Sequence, residues 1–199
     1  YGYYFGRIHV SPTNSDQIYI YGVPILKSDD SGKTFKRIGA SNVHVDHHDL
    51  WINPKNTNHL VLGNDGGVNI SYDQGNNWIK LNQPSVGQFY SINVDNSSPY
   101  NVYGGLQDNG VWMAKNNSTE SPSWYETGHN NWTKIMGGDG MQIQIDKRDN
   151  NIVYTGLQFG NYYRLDLFNN ERKSIKPKHK LGDSPLRFNW QTPILISPH

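Results

Sequence analysis

The sequence predicts an all-β chain, a β-propeller with about four blades visible, and three observations carry that expectation. Turn formers recur every few positions: the 199 residues include 20 Gly and 10 Pro, with short β-branched and aromatic runs between them. A Ser-x-Asp-x-Gly segment occurs twice. A short apolar strand ending in a turn occurs five times at near-regular spacing, the mark of a repeat architecture. No helical periodicity longer than two turns competes with this pattern.

The strand marker reads Ile8-His9-Val10-Ser11-Pro12, Leu50-Trp51-Ile52-Asn53-Pro54, Ile92-Asn93-Val94-Asp95-Asn96, Ile143-Gln144-Ile145-Asp146-Lys147 and Ile194-Leu195-Ile196-Ser197-Pro198. Counted from Val10, the steps are 42, 42, 51 and 51 residues. A second strand follows each of the first four, at Gln17-Ile18-Tyr19-Ile20, His59-Leu60-Val61-Leu62, Asn101-Val102-Tyr103-Gly104 and Asn151-Ile152-Val153-Tyr154. A repeat of about 40–50 residues holding about four short strands is one propeller blade. Blades are expected near 1–43, 44–87, 88–138 and 139–190, with the start of a further blade at 191–199. Closed propellers have about four to eight blades, and an open arc leaves sheet faces uncovered. The 199 residues therefore read as one partial propeller, a fragment of a larger one. The alternative is a four-bladed ring closed by its two termini.

The two Ser-x-Asp-x-Gly segments are Ser28-Asp29-Asp30-Ser31-Gly32-Lys33-Thr34-Phe35 and Ser71-Tyr72-Asp73-Gln74-Gly75-Asn76-Asn77-Trp78, 43 residues apart. Each is expected to be a tight turn between the third and fourth strands of its blade. The Asp carboxylate accepts N–H bonds across the turn, Gly supplies a positive φ, and the closing aromatic packs back under the hairpin. These local roles occupy the whole motif, so its Asp is read as scaffold.

These segments resemble the BNR/Asp-box repeats of sialidases, sortilin and xyloglucanase-type glycoside hydrolases. Further stretches extend the resemblance: His44-Val45-Asp46-His47-His48-Asp49-Leu50-Trp51, Gly63-Asn64-Asp65-Gly66-Gly67, Gly105-Leu106-Gln107-Asp108-Asn109-Gly110, Gly137-Gly138-Asp139-Gly140 and Arg187-Phe188-Asn189-Trp190-Gln191. Together they resemble the bacterial sortilin-N-terminal-like, or "glycosyl hydrolase BNR repeat", proteins. The resemblance covers nearly the whole chain and implies a secreted, cell-surface or periplasmic propeller. The third and fourth blades depart from it by lacking a full Asp-box. The sialidase branch fits poorly, because sialidases need an arginine triad and a Tyr/Glu pair. Phe5-Gly6-Arg7-Ile8-His9 resembles one sialidase arginine motif, but Arg7-Ile8 simply opens a blade strand.

Composition excludes several classes. Charged residues are 18% and the net charge is +1, which gives no electrostatic case for nucleic acid. No apolar run is long enough for membrane insertion as a helix. Cysteine is absent, so no disulfide, thiolate metal site or cysteine nucleophile exists. Asn-x-Ser/Thr sequons at Asn96, Asn116, Asn117 and Asn131 matter only where the source modifies such sites.

Propeller geometry sorts the remaining candidates. Turns between the third and fourth strands lie on one face. Turns between the second and third strands, and the links between blades, lie on the other. That second face collects Asp46, Asp65, Asp108 and Asp139 as candidate catalytic carboxylates, with His44, His48, Gln107, Asn189 and Trp190 as candidate ligand contacts. A glycosidase pair needs carboxyls about 5–5.5 Å apart for retention or about 6.5–9.5 Å for inversion; the competing role is turn capping. His44-x-Asp46-x-His48 would share one side of a strand, and two imidazoles with a carboxylate suit a divalent metal. The competing reading is a hydrogen-bonded network between blades. No cofactor is otherwise required. Trp124, Tyr125 and Trp132 sit in a polar insertion from Lys115 to Met136, where exposed aromatics would stack on sugar rings. Trp51, Tyr103, Trp112, Tyr154 and Tyr163 are expected to pack between blades.

The leading functional expectation is a propeller that binds a glycan or protein partner, without a complete catalytic site in these residues, and that pairs with remaining blades of the same chain or another subunit. A glycoside hydrolase acting on a polysaccharide is the alternative. A structural subunit of an extracellular assembly, with blade edges paired to neighbours, is the third reading.

Overall fold

The computed structural model describes residues 3–81, 87–119 and 131–197. Among these residues there is no helix, and sixteen strands form four sheets. The first sheet holds β1 (Arg7–Ser11), β2 (Asn14–Tyr21), β3 (Ile25–Ser28) and β4 (Lys36–Arg37). The second holds β5 (His47–Ile52), β6 (Leu60–Asn64), β7 (Gly67–Ser71) and β8 (Ile79–Leu81). The third holds β9 (Phe89–Val94), β10 (Asn101–Leu106), β11 (Gly110–Lys115) and β12 (Thr133–Met136). The fourth holds β13 (Ile143–Ile145), β14 (Ile152–Leu157), β15 (Asn161–Asp166) and β16 (Glu171–Ser174). Each sheet is an antiparallel meander in chain order, the sheet of a propeller blade. Four such sheets are consistent with the fold class expected, a propeller with about four blades visible.

The chain divides into two compact units, Tyr1–Val86 and Gly87–His199. In the first, alternation along the strands sends Tyr19, Tyr21 and Ile25 of one sheet against Leu50, Ile52, Leu60 and Leu62 of the next. Trp78 and Ile38 close this core, and the Trp78 indole donates to the Ile38 carbonyl at 2.7 Å. In the second unit, Tyr103, Val111 and Met136 pack on Ile143, Ile145, Val153 and Leu165. Asn93 stitches these two sheets by donating from Nδ2 to the Ile143 carbonyl at 2.9 Å. Backbone also meets backbone here. A Cβ on Gly105 would lie 2.1 Å from the Met141 carbonyl oxygen, and one on Gly140 would lie 2.3 Å from that of Gly110. Two of the glycine motifs seen in the sequence therefore mark one close approach between blades.

The turns are closed by side chains. In the first Ser-x-Asp-x-Gly turn, Asp30 accepts from the Thr34 amide at 2.8 Å and the Thr34 hydroxyl at 2.6 Å. Ser28 Oγ accepts from the Gly32 amide at 2.9 Å, and Gly32 has φ 84°. The second turn repeats this: Asp73 accepts from the Asn77 amide at 2.8 Å, and Ser71 Oγ accepts from the Gly75 amide at 2.8 Å. The closing aromatics differ. Trp78 is buried, whereas Phe35 is 40% exposed. Trp78 packs on Ile38, which follows the first sheet, and among the described residues no sheet precedes the one Phe35 closes. The fourth sheet makes the corresponding turn without the motif. Asp166 accepts from the amides of Phe168 and Asn169 at 3.0 and 3.1 Å, and from Asn169 Nδ2 at 2.9 Å.

Two expectations change. Ile194-Leu195-Ile196 forms no strand, and Leu195 is exposed. Its ladder bonds are replaced by amide side chains: Ile194 N donates to Gln142 Oε1 at 3.1 Å, and Gln144 Nε2 donates to the Ile194 carbonyl at 3.3 Å. The strand expected to align His44, Asp46 and His48 begins only at His47, and Asp46 has φ 63°, so period-two alternation does not reach these three residues.

Between the first two strands of the third sheet, buried Asp95 organises the turn. Its carboxylate accepts from the Ser97 amide at 3.1 Å and hydroxyl at 2.6 Å, the Asn101 amide at 2.8 Å and side chain at 2.6 Å, and the Tyr103 hydroxyl at 3.2 Å. Burial opposes its ionisation, yet the bonds from Ser97 and Asn101 prevail and hold the carboxyl down at about 2. Asp95→Ala is expected to cost about 2 kcal/mol of stability, because it leaves buried donors without acceptors. A urea titration checks this, and a change within about 0.5 kcal/mol, the size of a surface substitution, would contradict it.

Candidate functional site

The site begins with a repeated local arrangement. In each of three blades, the residue just before the inner strand faces the turn between the second and third strands. Asp65 N donates to the Asp46 carbonyl at 3.3 Å, and Gln107 N donates to the Gln88 carbonyl at 2.9 Å. Asp139 uses its side chain instead. Its Oδ1 accepts from the Asp108 amide at 2.8 Å, and its Oδ2 accepts from the Gln158 side chain. Asp139 is buried, and both its carboxylate oxygens brace the turns of neighbouring blades. Asp108 stands at φ 61° in the turn so braced, and the Gln107 carbonyl accepts from the Asn109 amide at 2.7 Å.

Trp190 lies one repeat, 51 residues, after Asp139. The same brace is made there by backbone: Phe159 N donates to the Trp190 carbonyl at 3.2 Å. That leaves the indole out of the scaffold. It is 44% exposed, stands edge-on to Phe159 at 5.4 Å between centroids, and donates from Nε1 to the Tyr90 hydroxyl at 3.2 Å. Phe159 is itself 48% exposed and held at φ 61°. A bulky residue in the left-handed region is strained, and such strain clusters at ligand clamps. Tyr90, Phe159 and Trp190 thus form an open aromatic cluster beside the Asp139–Gln158 pair. The sequence pattern singles out Tyr90 and Trp190, which lead into inner strands, and not Phe159. Phe159 left one signal, a Phe-Gly pair in a turn that elsewhere carries Asp or Gly. Asn189 contributes its carbonyl to the Thr192 hydroxyl at 3.3 Å. Trp132 tilts against Phe89 at 6.2 Å, and Trp124 and Tyr125 lie outside the described residues.

In the first unit, Asp46 occupies the position that Asp139 holds in the fourth blade. The facing turn of the first blade carries Pro24, which has no N–H for a carboxylate to accept. Contact is made by backbone, from Asp46 N to the Val23 carbonyl at 3.2 Å and from His47 N to the Gly22 carbonyl at 2.7 Å. Carboxylate oxygens of Asp46 and Asp65 lie within 4.8 Å of each other. Asp65 also pairs with His48 Nε2, and the His48 ring meets Tyr4 and Phe5 at 5.5 Å. His44 turns its Nδ1 to the Val45 carbonyl at 2.8 Å. A second relay, absent from the sequence reading, links His9 Nε2, the Tyr21 hydroxyl and Asp49 Oδ1 at 3.1 and 3.2 Å. Burial and then Asp49 push the Tyr21 hydroxyl up to about 12.

No family model and no curated protein matches the sequence. Among solved structures, the chain is similar to the GH74 enzyme of Niastella koreensis, at 18% identity and TM-score 0.35, covering 85% of this chain and 30% of that one. It is similar to the GH74 xyloglucanase of Xanthomonas campestris, at 15% identity and TM-score 0.32, covering 89% and 31%. A third likeness is to YCF48 bound to D1 peptide, at 14% identity and TM-score 0.30, covering 80% and 64%. The chain thus spans less than a third of the GH74 structures and less than two thirds of YCF48. The four antiparallel four-stranded sheets of this chain are themselves those of propeller blades.

His47 gives this region a pH response. Its ring is buried and its Nδ1 has no hydrogen-bond partner. Burial, then the charges of His44, Arg37 and His48, lowers its pKa from 6.5 to about 4. The unfolded chain therefore binds a proton between pH 6.5 and 4 that the folded chain refuses, and stability is full above that window and declines through it as pH falls. The expected loss is on the order of 3 kcal/mol, read as the fall in unfolding free energy from pH 7 to 4. His47→Gln should flatten that slope, and an unchanged slope would contradict the assignment.

Proposed function

We propose that this chain is part of a secreted or cell-surface propeller whose blades present a binding surface for a glycan or protein partner. The observation that supports this reading most is the Trp190–Phe159–Tyr90 cluster. At the position where Asp139 spends its side chain on the scaffold, Trp190 substitutes its backbone and leaves a half-exposed indole beside a strained, half-exposed phenyl ring. Aromatic rings with one apolar face and a polar handle are common contact groups in binding surfaces, and large exposed apolar groups gathered together call for a partner. Gln107, Asn189 and the insertion with Trp124 and Trp132 are proposed as further contacts.

A second reading, glycoside hydrolysis, is favoured by the approach of Asp46 and Asp65, whose carboxylate oxygens lie within 4.8 Å of each other; glycoside hydrolysis uses two carboxyl groups that flank one bond. A divalent metal held by His44, Asp46 and His48 is proposed with this second reading, since Asp46 belongs to both.

A polysaccharide and peptide binding screen with wild type, Trp190→Ala, Asp139→Ala and Asp65→Asn separates these readings. Trp190→Ala is expected to weaken binding about tenfold at unchanged stability, while Asp139→Ala lowers stability. Undiminished binding by Trp190→Ala would count against the aromatic cluster. Product release by wild type and not by Asp65→Asn would replace the binding reading with the hydrolase.

A further inference from the structure

We infer that the chain between β16 and Trp190 is a basic arm that recognises the carboxylates of an acidic polysaccharide whose sugar ring lies on Trp190. The inference rests on the reading of Trp190 as a contact residue and names the ligand class. Every residue it uses lies in the second unit. Between the outer strand and the position that braces the neighbouring turn, the first blade has residues 38–45 and the third has 137–138. The fourth has 175–189. A connection longer than the fold requires is a common place for function.

The charge of the chain is gathered here. Residues 171–190 hold six Lys or Arg against two Asp or Glu, while the rest of the second unit holds five against eight. The first unit holds seven against seven. The acids of the second unit do not neutralise the arm. Asp95, Asp139, Asp146 and Asp166 each accept from a turn amide, and Arg148 pairs with Asp146. Lys178, Lys180 and Arg187 are exposed, and none of them makes an ion pair with a described residue. Like charges brought together without counter-charge raise the local concentration of anions.

The arm is moored to its own blade and runs into the aromatic cluster. Ile175 N donates to the Tyr162 carbonyl at 2.9 Å, and Lys176 Nζ donates to Asn161 Oδ1 at 3.0 Å. Lys176 also stands 5.0 Å over the Phe188 ring. Phe188 lies against the turn that carries Phe159, where a Cβ on Gly160 would meet its Cδ1 at 2.6 Å. Pro177 keeps Lys176 out of the helical region. Lys178 and Lys180 follow at most about 7 and 14 Å further along the chain. A turn closed by Asp183 N on the Lys180 carbonyl at 3.1 Å, with Gly182 at φ 91°, leads back to Arg187 beside Phe188. Cations and aromatic faces are thus contiguous, which fits a ligand with both rings and spaced anions. An anionic membrane offers no ring to stack. A nucleic acid calls for a broadly positive domain, and the second unit as a whole holds eleven Lys or Arg against ten Asp or Glu. A polysaccharide of uronic acids meets both requirements.

The test compares one sugar with and without its charge. Binding of hexagalacturonate and of its methyl ester is measured by titration calorimetry on the whole chain, with oligothymidylate and phosphatidylserine vesicles as probes of the other anionic classes. The variants are Trp190→Ala and the triple substitution Lys178→Gln, Lys180→Gln and Arg187→Gln, which removes charge from exposed positions and keeps side-chain length. Unfolding midpoints show that each variant is folded. Hexagalacturonate is expected to bind about tenfold more tightly than its ester and to weaken as salt is raised. The triple variant should abolish that preference and leave the ester unaffected, while Trp190→Ala weakens both. Equal binding of acid and ester, or a preference that survives the triple substitution, would overturn the basic arm and leave Trp190 as a contact for neutral glycans. Tighter binding of oligothymidylate or of the vesicles would overturn the polysaccharide assignment. No binding of either sugar would overturn the inference together with the glycan half of the proposed function.

Discussion

Carboxylates accepting backbone N–H groups hold this chain together. Its strands run from two to eight residues, so much of each blade is turn, and turn amides have no ladder to pair with. Backbone donors near a packed interior must be satisfied, and here acidic side chains do it. Asp30 and Asp73 close the turns before the outer strands of the first two sheets, Asp166 closes that of the fourth, and Asp95 and Asp146 cap turns after inner strands. Their chemistry records the work: hydrogen bonds from Thr34 bring Asp30 down to about 2, and those from Arg148 bring Asp146 to the same level. A carboxyl tuned this way stays ionised and stays an acceptor, the opposite of what a general acid near neutral pH requires.

The same constraint explains why equivalent positions are filled differently in different blades. Each link between blades offers one position that faces a neighbouring turn. Asp139 meets that turn with both carboxylate oxygens. Trp190 meets it with a carbonyl, and Asp46 faces Pro24, where no amide is available. The scaffold role is fixed by position, and at Trp190 the backbone carbonyl fills it while the indole stays half-exposed.

Much of the fold was legible because it is periodic. The recurring strand marker located the inner strand of all four sheets, and Ser28–Asp30 and Ser71–Asp73 announced turns whose atoms could be assigned from residue types alone. What escaped was whatever depends on a neighbour. Phe35 and Trp78 look equivalent, yet Trp78 is buried against Ile38 and Phe35 is 40% exposed. Ile194 to Ile196 has the strand pattern but no ladder. Asp166 closes a turn without the Ser and Gly that made the others visible. The candidate acids were findable as a group, yet Asp139 and Asp65 differ only in which amide or imidazole lies opposite. The left-handed backbone at Asp46 broke the alternation on which the His44, Asp46, His48 alignment depended, and a positive φ at a non-glycine residue leaves little trace in the sequence.

The central claim is that these carboxylates act on backbone amides, and amide-proton NMR tests it directly. The N–H signals of Thr34 and Asn101, bonded to Asp30 and Asp95, should follow the ionisation of those carboxyls as pH is lowered. The account expects both to titrate with midpoints at about 2. Midpoints near 3.8, the ordinary value for an aspartate, or amide shifts that do not respond to acid at all, would contradict it.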